Sequence, residues 1–190
     1  MTTANKTDER LHEFANIFHR SIEQHNAFCG TDVGRRAMAL KVGLCLIRYD
    51  LVRYISEFDA PNLPVFAKIR AYGDAIRVMV EGKDWIEEKA NGELSKICEE
   101  SGLGTDIHAC LSKKCKRVFL LSKISKYEKY RHALSGHYDL NIPDLLQKFS
   151  EIDARTLQED TKGFAEFLNQ WTINLVEIFQ SPNKKINPTG

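Results

Sequence analysis

The stretch LKVGLCLIRYDLVRYISEF, residues 40–58, decides the fold class. Large apolar side chains recur in it three or four positions apart, the spacing of one face of an α-helix: Leu40, Leu44, Ile47, Leu51, Ile55 and Phe58. Charged residues such as Arg48 and Arg53 fall mostly on the other side. The pattern predicts a long amphipathic helix that ends in the region of Pro61 and Pro64.

The same period continues on both sides of this stretch. Before it, a helix is predicted that begins near Thr7 and has one apolar face, made of Leu11, Phe14, Phe18 and Ile22. After it, a helix is expected to open at Pro64, where a missing N–H costs nothing. Its core face comprises Val65, Ile69, Tyr72, Ile76 and Met79. Residues 82–84 are interpreted as a kink or loop, and a shorter helix is expected to reach Cys98.

Two further helices follow in the second half of the chain. Thr105 and Asp106 can cap the first of them, which is predicted to bury Ile107, Leu111, Val118 and Leu121. The last helix has the clearest apolar face, made of Phe164, Phe167, Leu168, Trp171, Leu175 and Ile178. Because no stretch alternates with the period of a strand, we expect an all-α fold. It would be an up-and-down helical bundle of four to six helices in a single domain, residues 1–180, with a disordered tail at 181–190.

Composition is typical of a folded globular protein. Of the 190 residues 43% are apolar and 28% charged, and the net charge is only +1. The five cysteines form no tight framework, which favours free thiols in a reducing compartment. The first residues lack the apolar core of a signal peptide, and no apolar run is long enough to span a bilayer. The sequence therefore predicts a cytoplasmic protein with no membrane association.

Basic residues cluster between positions 113 and 131. Eight are present, with Glu128 as the only acid among them: Lys113, Lys114, Lys116, Arg117, Lys123, Lys126, Lys129 and Arg131. Phe119, Tyr127 and Tyr130 are interleaved. Clustered cations attract phosphates, and aromatic rings can stack on unpaired bases. The alternative is a solvated helix face with Phe119 and Tyr127 in the core.

One short stretch carries residues suited to chemistry: RHALSGHYD, residues 131–139. The imidazole of His137 can move a proton near neutral pH, and the guanidinium of Arg131 can stabilise an anionic phosphorane. On an unbroken helix residues six apart point roughly 120° from each other. Two solutions stay open: Gly136 ends the helix and turns His137 back, or a second subunit completes the pair across a two-fold axis.

An arginine, a polar residue and a histidine a few positions later resemble the signature of the HEPN superfamily, here Arg131, His132 and His137. The resemblance implies a helical-bundle, metal-independent endoribonuclease without a cofactor, of the kind found in bacterial toxin–antitoxin and antiphage systems. It implies Arg131 and His137 as catalytic residues, with His132, Tyr138 and Asp139 in supporting positions. Single-stranded RNA would be bound by Lys123, Lys126, Lys129 and Tyr130. The expected partners are RNA, a second copy of the chain in a homodimer, and an antitoxin protein.

Competing interpretations remain beside this one. Arg20 and His25 have a compatible spacing but lack the basic surroundings. RHALSGHYD could also be a plain helix terminus, in which Arg131 pairs with an acid and His137 caps carbonyl groups. A zinc site from His108, Cys110 and Cys115 with His132 or His137 is disfavoured, because Cys110 and Cys115, five apart on a helix, point away from each other. A non-catalytic module that binds RNA, a nucleotide or a protein partner, or a dimeric scaffold, also fits the pattern.

Overall fold

The computed structural model describes residues 31–60, 62–103, 105–131 and 142–180, together with the single residue 16. Six α-helices occur in these ranges: α1 Asp32–Phe58, α2 Val65–Trp85, α3 Asn91–Glu100, α4 Thr105–Val118, α5 Ile142–Ser150 and α6 Ala154–Gln180. A π-helical turn, Ile86–Ala90, joins α2 to α3, and a 3₁₀-helix, Leu121–Tyr130, follows α4. No β-strand occurs within the described ranges, so the predicted all-α class is confirmed.

The two longest helices, α1 and α6, pack against each other and carry much of the core. Thr31 caps α1 by accepting a hydrogen bond from the backbone N–H of Gly34 at 3.1 Å. Side chains that are fully or almost fully buried come from α1, α2 and α6: Leu44, Leu51, Ile76, Met79, Phe164 and Leu168. These residues stand on the apolar faces that the sequence period predicts, which confirms a helical bundle.

The prediction of a kink or loop at residues 82–84 is wrong, because α2 continues without a break to Trp85. Gly82 lies in the interior, where a Cβ atom would stand only 3.0 Å from Ile47 Cγ2 and 3.1 Å from Phe164 Cε1. The glycine therefore permits close packing of α2 and does not end the helix. The helix leaves its regular form one turn later, in the π-helical turn. Val65, placed on the core face by the sequence, is 67% exposed at the first turn of α2.

The 3₁₀-helix has a sequence signal of its own. Residues 121–129 read LSK-ISK-YEK, a triplet of apolar, polar and lysine residues that repeats with the three-residue turn of a 3₁₀-helix. Ile124, Tyr127 and Tyr130 form one buried row, and the lysines form a separate, exposed row. The prediction that Leu121 belongs to the preceding helix is wrong: α4 ends at Val118 and Leu121 begins the new element.

Several predicted segments lie outside the described residues. They are the N-terminal helix with Leu11, Phe14, Phe18 and Ile22, the stretch 132–141 and the tail 181–190. Among the helices that are described, none offers a stretch long and apolar enough to cross a lipid bilayer.

A close contact between α6 and the chain after α4 depends on Gly163. A Cβ atom at this position would stand 2.6 Å from Cδ2 of the buried Phe119 ring, closer than side-chain contacts allow. Gly92 in α3 has no atom within 4 Å of the corresponding position.

We expect Gly163→Ala to destabilise the protein by about 1–2 kcal/mol, because displacing Phe119 outweighs the gain in helix propensity. Gly92→Ala should stabilise it by up to about 1 kcal/mol, since only the propensity changes. Urea denaturation of the two variants beside the wild type gives both free energies. A gain in stability for Gly163→Ala would show that Phe119 can move aside without cost.

Candidate functional site

Of the predicted catalytic pair, only Arg131 lies in the described part of the chain. It directly follows the 3₁₀-helix, at the end of the basic stretch. His137 and the supporting residues His132, Tyr138 and Asp139 lie outside the described residues, as do Arg20 and His25. Arg131 and the elements that position it are therefore the part of the predicted site that the structure describes.

The guanidinium of Arg131 is held by one carboxylate of α2. Its Nη1 lies 3.3 Å from Asp84 Oδ2, and the arginine side chain is 33% exposed. A guanidinium has five N–H donors, and only one of its nitrogens, Nη1, donates to Asp84. The ion pair fixes the direction of the side chain, and the remaining donors can bind an anion such as a phosphate.

A second ion pair lies beside the first, and in this one α2 supplies the cation and the 3₁₀-helix the anion. Lys83 Nζ lies 2.9 Å from Glu128 Oε1, 3.6 Å from Glu87 Oε2 and 3.8 Å from Asp84 Oδ1. The hydrogen bond to Glu128 raises the pKa of Lys83, and the same bond lowers the pKa of Glu128. Neighbouring residues of α2 therefore bind two residues, Glu128 and Arg131, that stand one 3₁₀ turn apart.

The predicted RNA-binding lysines, Lys123, Lys126 and Lys129, are exposed and stand on one side of the 3₁₀-helix. Successive members are about 6 Å apart along the axis, because a 3₁₀-helix rises about 2.0 Å per residue. Each ammonium lies over an aromatic ring, at 5.5, 4.9 and 4.5 Å from the centroids of Phe119, Tyr127 and Tyr130 in that order. We call these three residues the lysine row.

Two members of the lysine row also pair with acids. Lys126 Nζ lies 2.6 Å from Asp160 Oδ2, and Lys129 Nζ lies 3.4 Å from Glu151 Oε2. Part of their charge is therefore neutralised within the protein. Lys123 has no acidic partner among the residues that the structure describes.

The tyrosines beneath the lysine row are bound by the same acids. The hydroxyl of Tyr127 donates to Asp160 Oδ2 at 2.8 Å, and that of Tyr130 donates to Glu151 Oε2 at 3.1 Å. Burial raises the pKa of Tyr127, and the hydrogen bond to Asp160 adds to the shift. Tyr130 is only 7% exposed, so little of its ring is open to a base. Its predicted contact with RNA stays a prediction.

Unpaired positive charge lies on α4. Lys113, Lys116 and Arg117 are exposed, and within the described ranges none of them has an acidic partner. Lys116 and Arg117 stand in the last turn of the helix, where its dipole favours cations. We call these three residues the α4 cations. The sequence groups them with the lysine row, and only the ion pairs separate the two sets.

Described residues line at least two cavities. The larger, about 880 Å³, lies between α1 and α2 and is lined mainly by apolar residues such as Leu46, Val78 and Trp85. The smaller, about 560 Å³, is lined by residues of the π-helical turn, α4, the start of the 3₁₀-helix and α6. We call it the α4 cavity. Of these two cavities, the α4 cavity is the one with a histidine, His108, in its lining, and it lies beside the basic stretch.

The four described cysteines are free thiols: Cys45, Cys98, Cys110 and Cys115. Burial raises the pKa of Cys115 to about 12, so the thiol stays protonated at neutral pH. His108 and Cys115 line the α4 cavity and Cys110 does not. Within the described ranges, no three His, Cys, Asp or Glu side chains are grouped so that they could bind a metal ion.

Comparison with known proteins gives no relative: no protein-family model, curated protein or solved structure matches this chain.

The paired contacts of α2 with the 3₁₀-helix predict unequal effects of two substitutions. We expect Lys83→Met to lower the free energy of unfolding more than Asp84→Asn does, because the side chain of Lys83 is nearly buried and contacts three carboxylates. Asp84→Asn should cost less than about 1 kcal/mol, since this ion pair is more exposed to water. Chemical denaturation at pH 7 measures both.

The ion pair between Lys83 and Glu128 predicts that the stability of the protein depends on pH. The pKa of Glu128 is lowered from 4.5 in the folded state, so its contribution is present above that pH and is lost as the pH falls through the folded pKa. The difference in stability between wild type and Lys83→Met should therefore shrink in acid. A difference that stays constant from pH 7 to pH 3 would contradict the role of this ion pair.

Proposed function

We propose that this protein is an HEPN-like, metal-independent endoribonuclease that cleaves single-stranded RNA. The observation that carries the proposal is the position of Arg131. Its guanidinium stands at the end of the lysine row, held by one carboxylate and one third exposed. A cation fixed in this way can stabilise the negative charge that develops on a phosphate during cleavage.

The proposed reaction uses the RNA's own 2′-hydroxyl as the nucleophile, which restricts it to RNA. A base removes the hydroxyl proton, the oxygen attacks the adjacent phosphorus, and the bond to the 5′-oxygen of the next nucleotide breaks. His137 serves as the proton acceptor or protonates the leaving oxygen. Arg131 stabilises the phosphorane. The products are a 2′,3′-cyclic phosphate and a 5′-hydroxyl.

The proposal also gives roles to the residues around Arg131 and His137 and to the partners of the protein. His132, Tyr138 and Asp139 would orient the pair or the phosphate. Lys123, Lys126 and Lys129 would bind the RNA backbone, and Lys126 and Lys129 would exchange their acidic partners for phosphates as the strand approaches. A homodimer would bring two Arg131–His137 pairs together, and a role in toxin–antitoxin or antiphage defence would add an antitoxin as partner.

The central test compares single substitutions in a cleavage assay with end-labelled single-stranded RNA and EDTA. We expect His137→Ala and Arg131→Ala each to lower the cleavage rate by about 10²–10⁴-fold, since each removes a group that acts on the reacting phosphate. The RNA should end in a 2′,3′-cyclic phosphate, which mass spectrometry identifies.

Two matched variants separate catalysis from folding. Asp84→Ala removes the carboxylate that positions Arg131 but keeps the guanidinium, so activity should fall by about tenfold at most, much less than in Arg131→Ala. His25→Ala removes the histidine of the similar spacing at Arg20 and should have no effect. Full activity in His137→Ala, or cleavage only with added divalent metal, would rule out the proposed mechanism.

A second candidate function is that of a non-catalytic module for single-stranded RNA. The α4 cations favour it, because their charge is not neutralised by acids among the described residues. Such a protein would bind the RNA backbone without acting on it, and His137→Ala would leave its affinity unchanged.

RNA binding by the α4 cations predicts a defined salt dependence. For single strands each phosphate that the protein neutralises makes the negative slope of log affinity against log salt steeper by about 0.7. Replacing Lys113, Lys116 and Arg117 together by Gln should therefore reduce the slope by about 2. The double variant Lys126→Gln/Lys129→Gln should change the slope less, because these two lysines already form ion pairs with Asp160 and Glu151. Equal slopes in all three proteins, measured by fluorescence anisotropy, would exclude the α4 cations as the RNA contact.

A further inference from the structure

The α4 cavity has the size and lining of a small-molecule site. Its volume of about 560 Å³ lies within the range of ligand pockets, roughly 300–1,000 Å³. The apolar part of the lining includes Ile86, Phe167 and Trp171, and polar groups come from Asn91, Ser112 and Ser122. The π-helical turn forms one wall, and such turns often occur at functional sites.

His108 is the exceptional residue of this cavity. Its Nε2 atom is buried and has no hydrogen-bond partner within the described part of the chain. A buried polar atom without a partner is costly, because folding removes its hydrogen bonds to water and replaces them with none. If the imidazole ring turned this atom towards the cavity, a ligand that offers it a donor or an acceptor would remove the penalty.

The charges at the cavity favour an anionic ligand. Lys116 belongs to the α4 cations and lines the cavity without an acidic partner among the described residues. Glu87 also lines it, but pairs with Lys83 at 3.6 Å. Cys115 lines the cavity as a neutral thiol whose sulfur accepts a hydrogen bond from Asn174 Nδ2 at 3.2 Å. The lysine is therefore the charge that a ligand would meet.

We propose that the α4 cavity binds a nucleobase whose phosphate group lies against Lys116. A base combines a flat apolar face with an edge of donors and acceptors, which suits the aromatic side chains together with Asn91, His108 and the two serines. The phosphate supplies the anion that Lys116 lacks. Two sources have this chemistry: a free nucleoside monophosphate and one nucleotide of a single-stranded RNA.

The second source rests on the proposed function. Ser122 lies at the start of the 3₁₀-helix, and Arg131 follows its end about 18 Å away. The lysine row occupies the interval. A strand with one base in the cavity could therefore place its backbone along the lysine row and a phosphate at Arg131. The cavity would then select the nucleotide at a fixed distance from the cut.

The test uses isothermal titration calorimetry on the full chain carrying His137→Ala, so that binding is measured whether or not the protein cleaves RNA. The probes are AMP, GMP, CMP and UMP, the corresponding nucleosides, and ribose 5-phosphate. We expect at least one monophosphate to bind, its nucleoside to bind about tenfold more weakly, and ribose 5-phosphate not to bind.

Variants at the cavity identify the contacts. Lys116→Gln should lower the affinity for the monophosphate to that for the nucleoside, while Lys113→Gln, on the same helix but outside the cavity, should have no effect. His108→Phe keeps a planar ring but removes the unpartnered nitrogen. It should weaken both ligands about tenfold and yet raise the temperature of unfolding of the free protein.

Competition distinguishes the two sources. If the bound monophosphate displaces a fluorescent single-stranded RNA, the cavity holds an RNA base; if RNA binding is unaffected, the ligand is the free nucleotide. The inference is overturned if no monophosphate binds at millimolar concentration, if ribose 5-phosphate binds as tightly, or if Lys116→Gln and His108→Phe leave binding unchanged. Failure of RNA cleavage by the wild type would overturn the proposed function but not this site.

Discussion

The position of the 3₁₀-helix depends on two ion pairs with α2 that have opposite polarity. Lys83 binds Glu128, and the next residue, Asp84, binds Arg131. Cation and anion alternate on both sides, so a shift of the 3₁₀-helix by one turn would bring Arg131 towards Lys83 and Glu128 away from it. Because like charges repel at these distances, the two ion pairs specify one register of the 3₁₀-helix against α2. They thereby determine the position of Arg131.

The other side of the same helix is fixed by burial. Ile124, Tyr127 and Tyr130 repeat every third residue, and an α-helix would turn these side chains progressively away from the core. The hydroxyl of Tyr127 has its partner in Asp160, itself buried on α6. Apolar contacts and one buried hydrogen bond thus favour a 3₁₀-helix over an α-helix in this segment. A consequence is that the three lysines stand in a straight row.

Ion pairs divide the basic stretch into two parts with different physical roles. Lys126 and Lys129 neutralise Asp160 and Glu151, which also bind the hydroxyls of the buried tyrosines. These lysines therefore contribute to the packing of the 3₁₀-helix as well as to its surface charge. The α4 cations have no such partners within the described ranges and keep their full charge for a ligand. Net charge alone, +1 for the whole chain, conceals this separation.

The sequence by itself determined the fold class and most helix faces, because a face that repeats every 3.6 residues can be buried only as a helix. It also contained the triplet repeat of residues 121–129, whose period indicates the 3₁₀-helix. It did not determine that Gly82 lies inside a helix or that Gly163 admits a ring, since both follow from contacts between distant segments. Nor could it show which cations are paired, or that His108 lines a cavity with an unpartnered nitrogen. Those features arise only when α2, α4 and α6 meet, because distance, and not order along the chain, decides which charges and donors find a partner.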